Sequence, residues 1–353
     1  MFPLAIAILA WGTDSPFPSS PQALEGWIAL HDQTLKDWAK GSDWKLGKDG
    51  SLISGKQTLT HLAFVGQGDW RLECDRFPDF TNQRLIVGIQ RGIEHEMLFQ
   101  GPGVETTNGR LLIQCRSTGK KTGALSLTGS GMAIHKIWFR PKIDKELISG
   151  TGLAQWVLLP GKKSRVETTP EGWIRIQDGP GDLQSRDIFG NFMAQLTIRT
   201  GGKHFNSGLF FRAIPGEQWQ GYEAQIRNEF TPGNERPYTL ESFDPNTHLP
   251  LGKSLIQSTA VDYGTGAIYR RLPARSQAAN DGEWFVLTVV AVDRCICTWV
   301  QGQPQANWTD NRPANTNARQ GYRSKPGVFG IQGHDPTTLL DLKSLKVAPL
   351  DNN

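Results

Sequence analysis

The segment GYEAQIRNE, residues 221–229, alternates polar with apolar side chains, and its polar members could do chemistry: Glu223, Gln225 and Arg227. Successive side chains of an extended strand point to opposite faces, so these three share one face while their apolar neighbours face a core. A carboxylate can act as a general base, and amide and guanidinium groups bind oxygen atoms. The segment predicts a strand with one face that is either solvent-exposed or a binding site.

Strand patterns also dominate the rest of the chain. FMAQLTIRT at 192–200 alternates in the same way, and SGLFFRAI, WFVLTVVAV and DLKSLKVAPL are further candidate strands, separated by turn sequences such as PGEQ and DGEW. No long stretch shows the helical period of 3.6 residues. Many short strands without helices predict an all-β sandwich or jelly roll.

The chain has 353 residues, more than a typical single domain. A faint internal repeat supports two domains: DWKLGKDGSLISG precedes DWRLECDRF, and GWIRIQDGPGDLQS precedes FMAQLTIRT. We expect two jelly-roll β-sandwich domains that meet near 145–153. Their predicted ranges are 20–148, smaller and degenerate, and 151–350.

Composition narrows the functional classes. The chain is 38% hydrophobic and 20% charged with a formal net charge of +4, which is typical of a globular protein. It has no long Lys or Arg block, so nucleic acid is not an expected partner.

The N-terminus has an apolar run from Phe2 to Trp11, with the small residues Ala10 and Gly12 at its end. This pattern predicts a signal peptide and linker over 1–19, and hence a secreted, periplasmic or cell-surface protein. The run is too short to span a bilayer, and no other segment predicts a transmembrane helix. No Lys or Arg precedes the run, so a truncated or misassigned start is the alternative.

The four cysteines form neither a dense disulfide framework nor a zinc pattern: Cys74, Cys115, Cys295 and Cys297. Cys295 and Cys297 share one face of a candidate strand, which favours two buried thiols over a redox pair. A bridge between Cys74 and Cys115 is left open by the sequence.

The second half resembles the 3-keto-disaccharide hydrolase domain family. The motifs that carry the resemblance occur in the family's order: FNSGLFFR, GYEAQIRNE, TGAIYR, DGEW and GVFGIQGHD. The resemblance covers about 151–350, and GWIALHDQTLKDW with DWKLGKDGSLI is similar to the family's opening strands. It implies a concanavalin A-like sandwich related to lectins and laminarinase-type glucanases. Departures from the family pattern include Phe285 after the GEW motif and Asn228 in place of an acidic residue.

An ordinary glycosidase needs two carboxyl groups across the scissile bond. Laminarinase-like sandwiches carry them in an E-x-D-x-x-E pattern, which superimposes here on Glu223, Gln225 and Asn228. Glu229 falls on the opposite face of the strand unless a bulge redirects it. The sequence therefore disfavours a retaining glucanase.

A glycoside whose sugar is oxidised at C3 can be cleaved with one catalytic carboxylate instead of two. The ketone acidifies the C2 proton, so one base can start an elimination that expels the group at C1, and hydration then gives net hydrolysis. The resemblance implies this activity on 3-keto-glycosides. Glu223 is the candidate base or metal ligand, Arg212 the group that polarises the ketone, and His334, beside Asp335, a second acid/base or metal ligand.

Further residues are candidates for sugar binding: Asn206, Gln225, Tyr269 and Trp219. A divalent metal is a candidate cofactor without a defined ligand set. The enzymatic hypothesis requires Glu223, Arg212 and His334 to converge in one pocket.

Each candidate also has a structural interpretation. Glu223 and Arg212 can form a cross-strand ion pair on a solvated sheet face. His334 can be a structural histidine in a turn, and Tyr269 and Trp219 can be core or rim aromatics. Gln225 can be a solvent-facing amide, and Asn206-Ser207-Gly208 can be a plain turn. The alternative function is therefore a non-catalytic, lectin-like carbohydrate-binding protein.

Overall fold

The computed structural model describes residues 26–31, 33–65, 68–75, 86–90, 96–98, 104–105, 111–117, 123–128, 133–143, 145–202 and 204–350. The segment 1–19, predicted to be a signal peptide and linker, lies outside the described residues. The chain divides into two compact units, Met1–Lys142 and Ile143–Asn353. The sequence placed this junction a few residues later, but Lys145–Glu146 forms a strand that pairs within the second unit.

In the first unit, the described residues form two antiparallel sheets. The first sheet has the order β2 (Lys45–Leu46), β3 (Leu52–Ile53), β11 (Ala133–Pro141), β5 (Gly68–Cys74), β9 (Leu111–Ser117) and β8 (Val104–Glu105), with β1 (Ile28–Ala29) also paired to β11. The second has the order β4 (Leu59–Val65), β10 (Gly123–Thr128), β6 (Ile86–Gln90) and β7 (Glu96–Leu98). The ring centroids of Trp70 and Phe139 lie 4.5 Å apart in the core of the first unit.

Cys74 is a buried free thiol at the end of β5. Its register partner on β9 is Leu111, whereas Cys115 lies opposite Trp70. The described structure therefore has no bridge at Cys74. Burial raises the pKa of this thiol to about 12.

The second unit is a sandwich of two antiparallel sheets. The back sheet has the order β14 (Arg165–Thr168), β15 (Ile174–Gln177), β26 (Leu339–Pro349), β17 (Phe192–Thr200), β22 (Trp284–Val292), β23 (Cys295–Val300) and β24 (Gln303–Thr309), with β12 (Lys145–Glu146) paired to β26. The front sheet has the order β13 (Trp156–Leu158), β16 (Gly181–Phe189), β25 (Gly327–Gly333), β18 (Ser207–Ala213) and β19 (Tyr222–Ile226). A hairpin, β20 (Arg236–Phe243) with β21 (Pro250–Ser258), follows β19.

The remaining regular elements are two 3-10 helices, Gly152–Gln155 and Val261–Tyr263, and the described ranges contain no α-helix. Accordingly, no helix in the described part of the chain is long and apolar enough to cross a membrane. These findings confirm the all-β prediction.

The core of the second unit lies between the back and front sheets. On β19, Tyr222, Ala224 and Ile226 belong to this core, as the alternation in GYEAQIRNE predicts. Phe192 of the back sheet meets Phe211 of the front sheet with ring centroids 5.7 Å apart. Side chains between these core positions therefore lie on the outer face of the front sheet.

Candidate active site

Two carboxylates flank two glycines on the outer face of the front sheet. Glu223 on β19 leans over Gly208 of β18, since a Cβ built at Gly208 would lie 2.5 Å from Glu223 Oε1. Asp182 on β16 leans over Gly330 of β25, where a Cβ would lie 2.7 Å from Asp182 Oδ1. β25 and β18 are the two strands between β16 and β19. They place Gln332 directly opposite Asp182 and Phe210 directly opposite Glu223.

Glu223 has the environment of a general base. Its side chain is only 4% exposed. Burial raises its pKa to about 7, against the opposing effects of Arg319, His334 and Arg270. Such a carboxyl group is partly ionised at neutral pH and can take up a proton there.

Arg319 is the cation at Glu223. Its Nη2 donates to Glu223 Oε2 at 2.8 Å, and its Nε donates to the carbonyl oxygen of Trp219 at 3.1 Å. The guanidinium lies 5.0 Å from the ring centroid of Phe210 and 5.6 Å from that of Tyr269. A guanidinium in this position can stabilise negative charge that develops beside the base.

Arg319 lies in the connection between β24 and β25, which other arginines hold in place. Arg312 Nη2 donates to the carbonyls of Ala318 and Gly321, both at 2.9 Å, and Arg323 Nε donates to the carbonyl of Arg212 at 2.9 Å. Sequence analysis missed Arg319 because this connection has no strand period that would assign it to a face. The arginine-rich composition of the connection was the available signal.

The candidates Gln225, Asn206 and His334 are joined by hydrogen bonds. Gln225 Nε2 donates to Asn206 Oδ1 at 3.0 Å and to the carbonyl of Asp262 at 2.9 Å. Asn206 Nδ2 lies 3.3 Å from His334 Nε2, and His334 Nδ1 lies 2.8 Å from Asp335 Oδ2. These contacts are satisfied together when His334 carries its proton on Nδ1. The lone pair of Nε2 then accepts from Asn206 Nδ2.

The two aromatic candidates border the same region. The indole of Trp219 stacks on the imidazole of His334 at 6.2 Å with an interplanar angle of 10°. Tyr269 donates its backbone N–H to the carbonyl of Glu223 at 3.0 Å. Both side chains are half-buried, and their position at the rim suits contact with a flat ligand.

Asp182 is a second buried acid that sequence analysis missed. It is fully buried, and burial raises its pKa to about 6 despite hydrogen bonds from Trp219 and Gln184. The backbone N–H of Trp219 and Gln184 Nε2 each donate to its Oδ2 at 3.0 Å. The alternation of Asp182 with Leu183 in GDLQS was the sequence signal that could have placed it on the outer face.

Three acceptor oxygens on this face are buried and have no hydrogen-bond partner among the described residues: Asp182 Oδ1, Gln225 Oε1 and Gln332 Oε1. Asp182 and Gln332 lie directly opposite each other on β16 and β25. A buried acceptor without a donor is costly, so this face favours a ligand that carries O–H donors.

Arg212 lies away from Glu223, contrary to the sequence-based expectation. Its guanidinium donates to the carbonyls of Gly190 at 2.8 Å and Asp293 at 2.7 Å and to Asn191 Oδ1 at 2.8 Å. A register shift between Phe210 and Ala213 and a left-handed φ of +46° at Arg212 break the strand alternation. Glu223 and His334 lie in the same site, as expected, but the guanidinium beside Glu223 belongs to Arg319 and not to Arg212.

The residues of the missing E-x-D-x-x-E pattern are also engaged elsewhere. Asn228 Nδ2 donates to Asp281 Oδ1 at 3.1 Å, and its Oδ1 accepts from Thr265 Oγ1 at 2.5 Å. Glu229 accepts from Arg227 at 2.6 Å. Neither side chain is placed as a second catalytic acid opposite Glu223.

The donor set around Glu223 does not fit a metal ion. Within the described residues, no group of three or more His, Cys, Asp and Glu side chains is brought together. Glu223 Oε2 is bonded to Arg319, and His334 Nε2 faces the amide of Asn206. We therefore assign the site's chemistry to the side chains themselves.

The architecture is that of a concanavalin A-like β-sandwich protein with a polar site on its front sheet. Residues 144–347 match the model of the 3-keto-alpha-glucoside-1,2-lyase-like domain. Since this match covers more than half of the chain, the protein belongs to that family. A comparison with curated protein sequences gives no match.

Solved structures with similarity to the chain include two proteins from Parabacteroides distasonis ATCC 8503 described as "putative glycosyl hydrolase". One is 20% identical with a TM-score of 0.42, over 58% of this chain and 98% of its own. The other is 17% identical with a TM-score of 0.41, over 56% and 89%. The carbohydrate-binding module CBM66 from Bacillus subtilis is 13% identical with a TM-score of 0.35, over 57% and 96%.

Proposed function

We propose that this protein is a carbohydrate-active enzyme that cleaves 3-keto-glycosides, with Glu223 as the base. The observation that carries the proposal is the buried carboxylate of Glu223, whose pKa is raised to about 7 and whose partner is the guanidinium of Arg319. One such carboxylate suffices when a ketone at C3 has already acidified the proton at C2. Membership of the lyase-like family supports the same substrate class.

In the first step, Glu223 removes the proton from C2 of the keto sugar. The electron pair of the broken C2–H bond forms a C2=C3 double bond, and the negative charge moves to the oxygen at C3. Arg319 lies against Glu223 and supplies a fixed positive charge for that oxygen, the role that the sequence assigned to Arg212. Stabilisation by a preorganised donor is typically worth about 3 kcal/mol in such sites.

In the second step, the enolate collapses to a C1=C2 double bond with the C3 ketone restored. The C1–O bond breaks, and the leaving oxygen takes up the proton that Glu223 had removed. Addition of water to the enone, with O–H to C1 and H to C2, gives net hydrolysis. His334 is 38% exposed, with Nδ1 held by Asp335, so its Nε2 can exchange Asn206 for that water and assist proton transfer to or from it.

Recognition of the sugar is the task of the remaining polar face. The buried acceptors of Gln225 and Gln332 have no protein donor among the described residues, so they suit sugar hydroxyl groups. Asn206 is held between Gln225 and His334 and is oriented for the same purpose. Trp219 and Tyr269 suit the faces of a pyranose ring.

The alternative is a lectin-like protein that binds a glycan without turnover. One observation favours it: Glu223 is already paired with Arg319 and is almost fully buried, as in a structural ion pair. The two functions differ in whether the keto sugar is consumed.

The test is incubation of the purified protein with 3-keto-trehalose and with unoxidised trehalose, with and without a chelator. We expect release of 3-keto-glucose from the keto sugar alone and loss of release in Glu223→Gln. Glu229→Gln is the matched control, because Glu229 pairs with Arg227 and His204 away from Glu223. Binding of either sugar without release would establish the lectin-like alternative.

The apolar run at Phe2–Trp11 supports an extracytoplasmic site of action, which completes the proposal. Fractionation of cells that express the full chain tests this location. Recovery of the enzyme in the cytoplasmic fraction alone would contradict it.

A further inference from the structure

The peptide groups of Trp219 connect the two carboxylates of the front sheet. Trp219 N–H donates to Asp182 Oδ2 at 3.0 Å, and its carbonyl oxygen accepts from Arg319 Nε at 3.1 Å. Arg319 Nη2 then donates to Glu223 Oε2 at 2.8 Å. A continuous series of hydrogen bonds thus joins Asp182 on β16 to Glu223 on β19.

The backbone of Trp219 needs such an anchor. Its φ is +58°, a left-handed conformation that costs a non-glycine residue roughly 1–2 kcal/mol. Gln184 holds the surrounding segment: its Oε1 accepts from Gly216 N–H at 2.9 Å, and its Nε2 donates to the carbonyl of Glu217 at 3.1 Å as well as to Asp182 Oδ2. Among the described residues, Asp182 alone accepts from the backbone N–H of Trp219, so it fixes the direction of the adjacent carbonyl.

Burying the carboxylate of Asp182 also costs free energy. Its carboxylate is fully buried, its Oδ1 has no donor among the described residues, and burial disfavours its charged form. A buried acid of this kind gives little net stability, which argues for a role beyond stabilising the fold.

We propose that Asp182 is a positioning residue that holds the Arg319 guanidinium against Glu223 through the peptide groups of Trp219. Its catalytic consequence rests on the proposed function of Glu223 as base. The positioning itself is a property of the protein without substrate.

The charged and titratable groups around both carboxylates define what else can act on Glu223. Arg319, His334 and Arg270 act on Glu223 from three different segments. The ring of Tyr269 lies 5.6 Å from the Arg319 guanidinium. Lys162 is the cation that acts on Asp182. Arg319 is the largest opposing influence on the raised pKa of Glu223, so its displacement raises that pKa further.

Positioning and simple charge repulsion predict opposite signs. If Asp182 acted on Glu223 only through its negative charge, removing that charge would lower the pKa of Glu223. If Asp182 acts by positioning Arg319, removing its acceptor oxygen raises the pKa of Glu223. Asp182→Asn removes the charge but keeps an acceptor for the Trp219 amide, whereas Asp182→Ala removes both.

The experiment is a carbon-13 NMR titration of the Glu223 carboxyl group in the full chain without substrate, with the signal assigned by Glu223→Gln. We expect Asp182→Ala to raise the Glu223 pKa by about one unit. Asp182→Asn should leave it unchanged or lower it. Glu217→Ala, which removes an exposed carboxylate from the same segment and leaves both hydrogen bonds to Asp182 Oδ2 in place, is the matched control and should leave it unchanged.

Asp182→Glu provides a second test if Asp182→Ala fails to fold. It keeps the charge but moves the acceptor by one methylene, so a rise in the Glu223 pKa supports positioning and an unchanged value overturns it. A lowered pKa in Asp182→Ala, or an equal rise in Glu217→Ala, would also overturn it. The titration uses no sugar, so absence of turnover of 3-keto-trehalose would refute the proposed function and leave the positioning role standing.

Discussion

The carboxylate of Glu223 lies over the Cα of Gly208 on the neighbouring strand. A Cβ at position 208 would lie 2.5 Å from Glu223 Oε1 and 2.7 Å from its Cγ. Gly208→Ala should therefore displace the carboxylate from Arg319. We expect a loss of about 100-fold in kcat/KM on the keto sugar, since a misplacement of about 1 Å at a catalytic group has effects of this size.

Gly202→Ala is the matched control for Gly208→Ala. Gly202 precedes the same strand, and a Cβ there meets nothing within 4 Å. The kcat/KM of Gly202→Ala should equal that of the unmodified protein. Full activity in Gly208→Ala would show that the position of the Glu223 carboxylate is not limiting.

Stability should depend on pH through the burial of Glu223. Its pKa rises from 4.5 to about 7 on folding, so the folded state binds more protons than the unfolded state between these values. The contribution of Glu223 to the free energy of unfolding is therefore highest below pH 4.5 and falls by about 3 kcal/mol as pH rises through 7.

Glu223→Gln removes this pH dependence. Relative to the unmodified protein, the variant should gain stability between pH 5 and pH 8, by at least about 5 °C in Tm. Thermal unfolding of both proteins at the two pH values measures the difference. Equal Tm differences at pH 5 and pH 8 would mean that Glu223 is not buried as a titrating group.

The strand alternation in the sequence predicted half of the site. In GYEAQIRNE it placed Glu223 and Gln225 together on one face, and the structure confirms this, with Tyr222 in the core. β18 and β19 pair as antiparallel neighbours, which places Glu223 opposite Phe210. Alternation did not show that the polar face is buried, because the covering segments come from distant parts of the chain.

The remainder of the site depends on tertiary structure. Arg319 lies 96 residues from Glu223 along the chain, in an irregular connection whose path is set by buried arginines. Arg212 has the parity of the polar face, but the bulge after Phe210 turns its side chain away. A local pattern cannot predict a bulge or the return of a distant loop.

Arg212 should prove structural rather than catalytic. It is 1% exposed, and one guanidinium satisfies three acceptors that a lysine ammonium cannot reach together. Arg212→Lys should cost about 3 kcal/mol of unfolding free energy, measured by denaturant unfolding, with kcat/KM per folded molecule unchanged.

Arg319→Lys is the matched comparison for Arg212→Lys. The Arg319 side chain is 27% exposed, so the change should alter stability little but lower kcat/KM at least about 10-fold. If Arg212→Lys instead lowered kcat/KM without loss of stability, the catalytic role that the sequence assigned to Arg212 would be restored.

Gln332 should show opposite effects on stability and on binding. Its Oε1 is buried without a donor among the described residues, at a cost of about 1–3 kcal/mol in the absence of ligand. Gln332→Met keeps the side-chain volume and removes this acceptor, so the free protein should become about 1 kcal/mol more stable.

If a sugar hydroxyl donates to Gln332 Oε1, KM of Gln332→Met for the keto sugar should rise about 10-fold with kcat nearly unchanged. Gln195→Met is the control, because Gln195 is a buried amide of the back sheet that donates to Thr288 Oγ1 at 3.2 Å. An unchanged KM in Gln332→Met would remove Gln332 from the sugar-binding face.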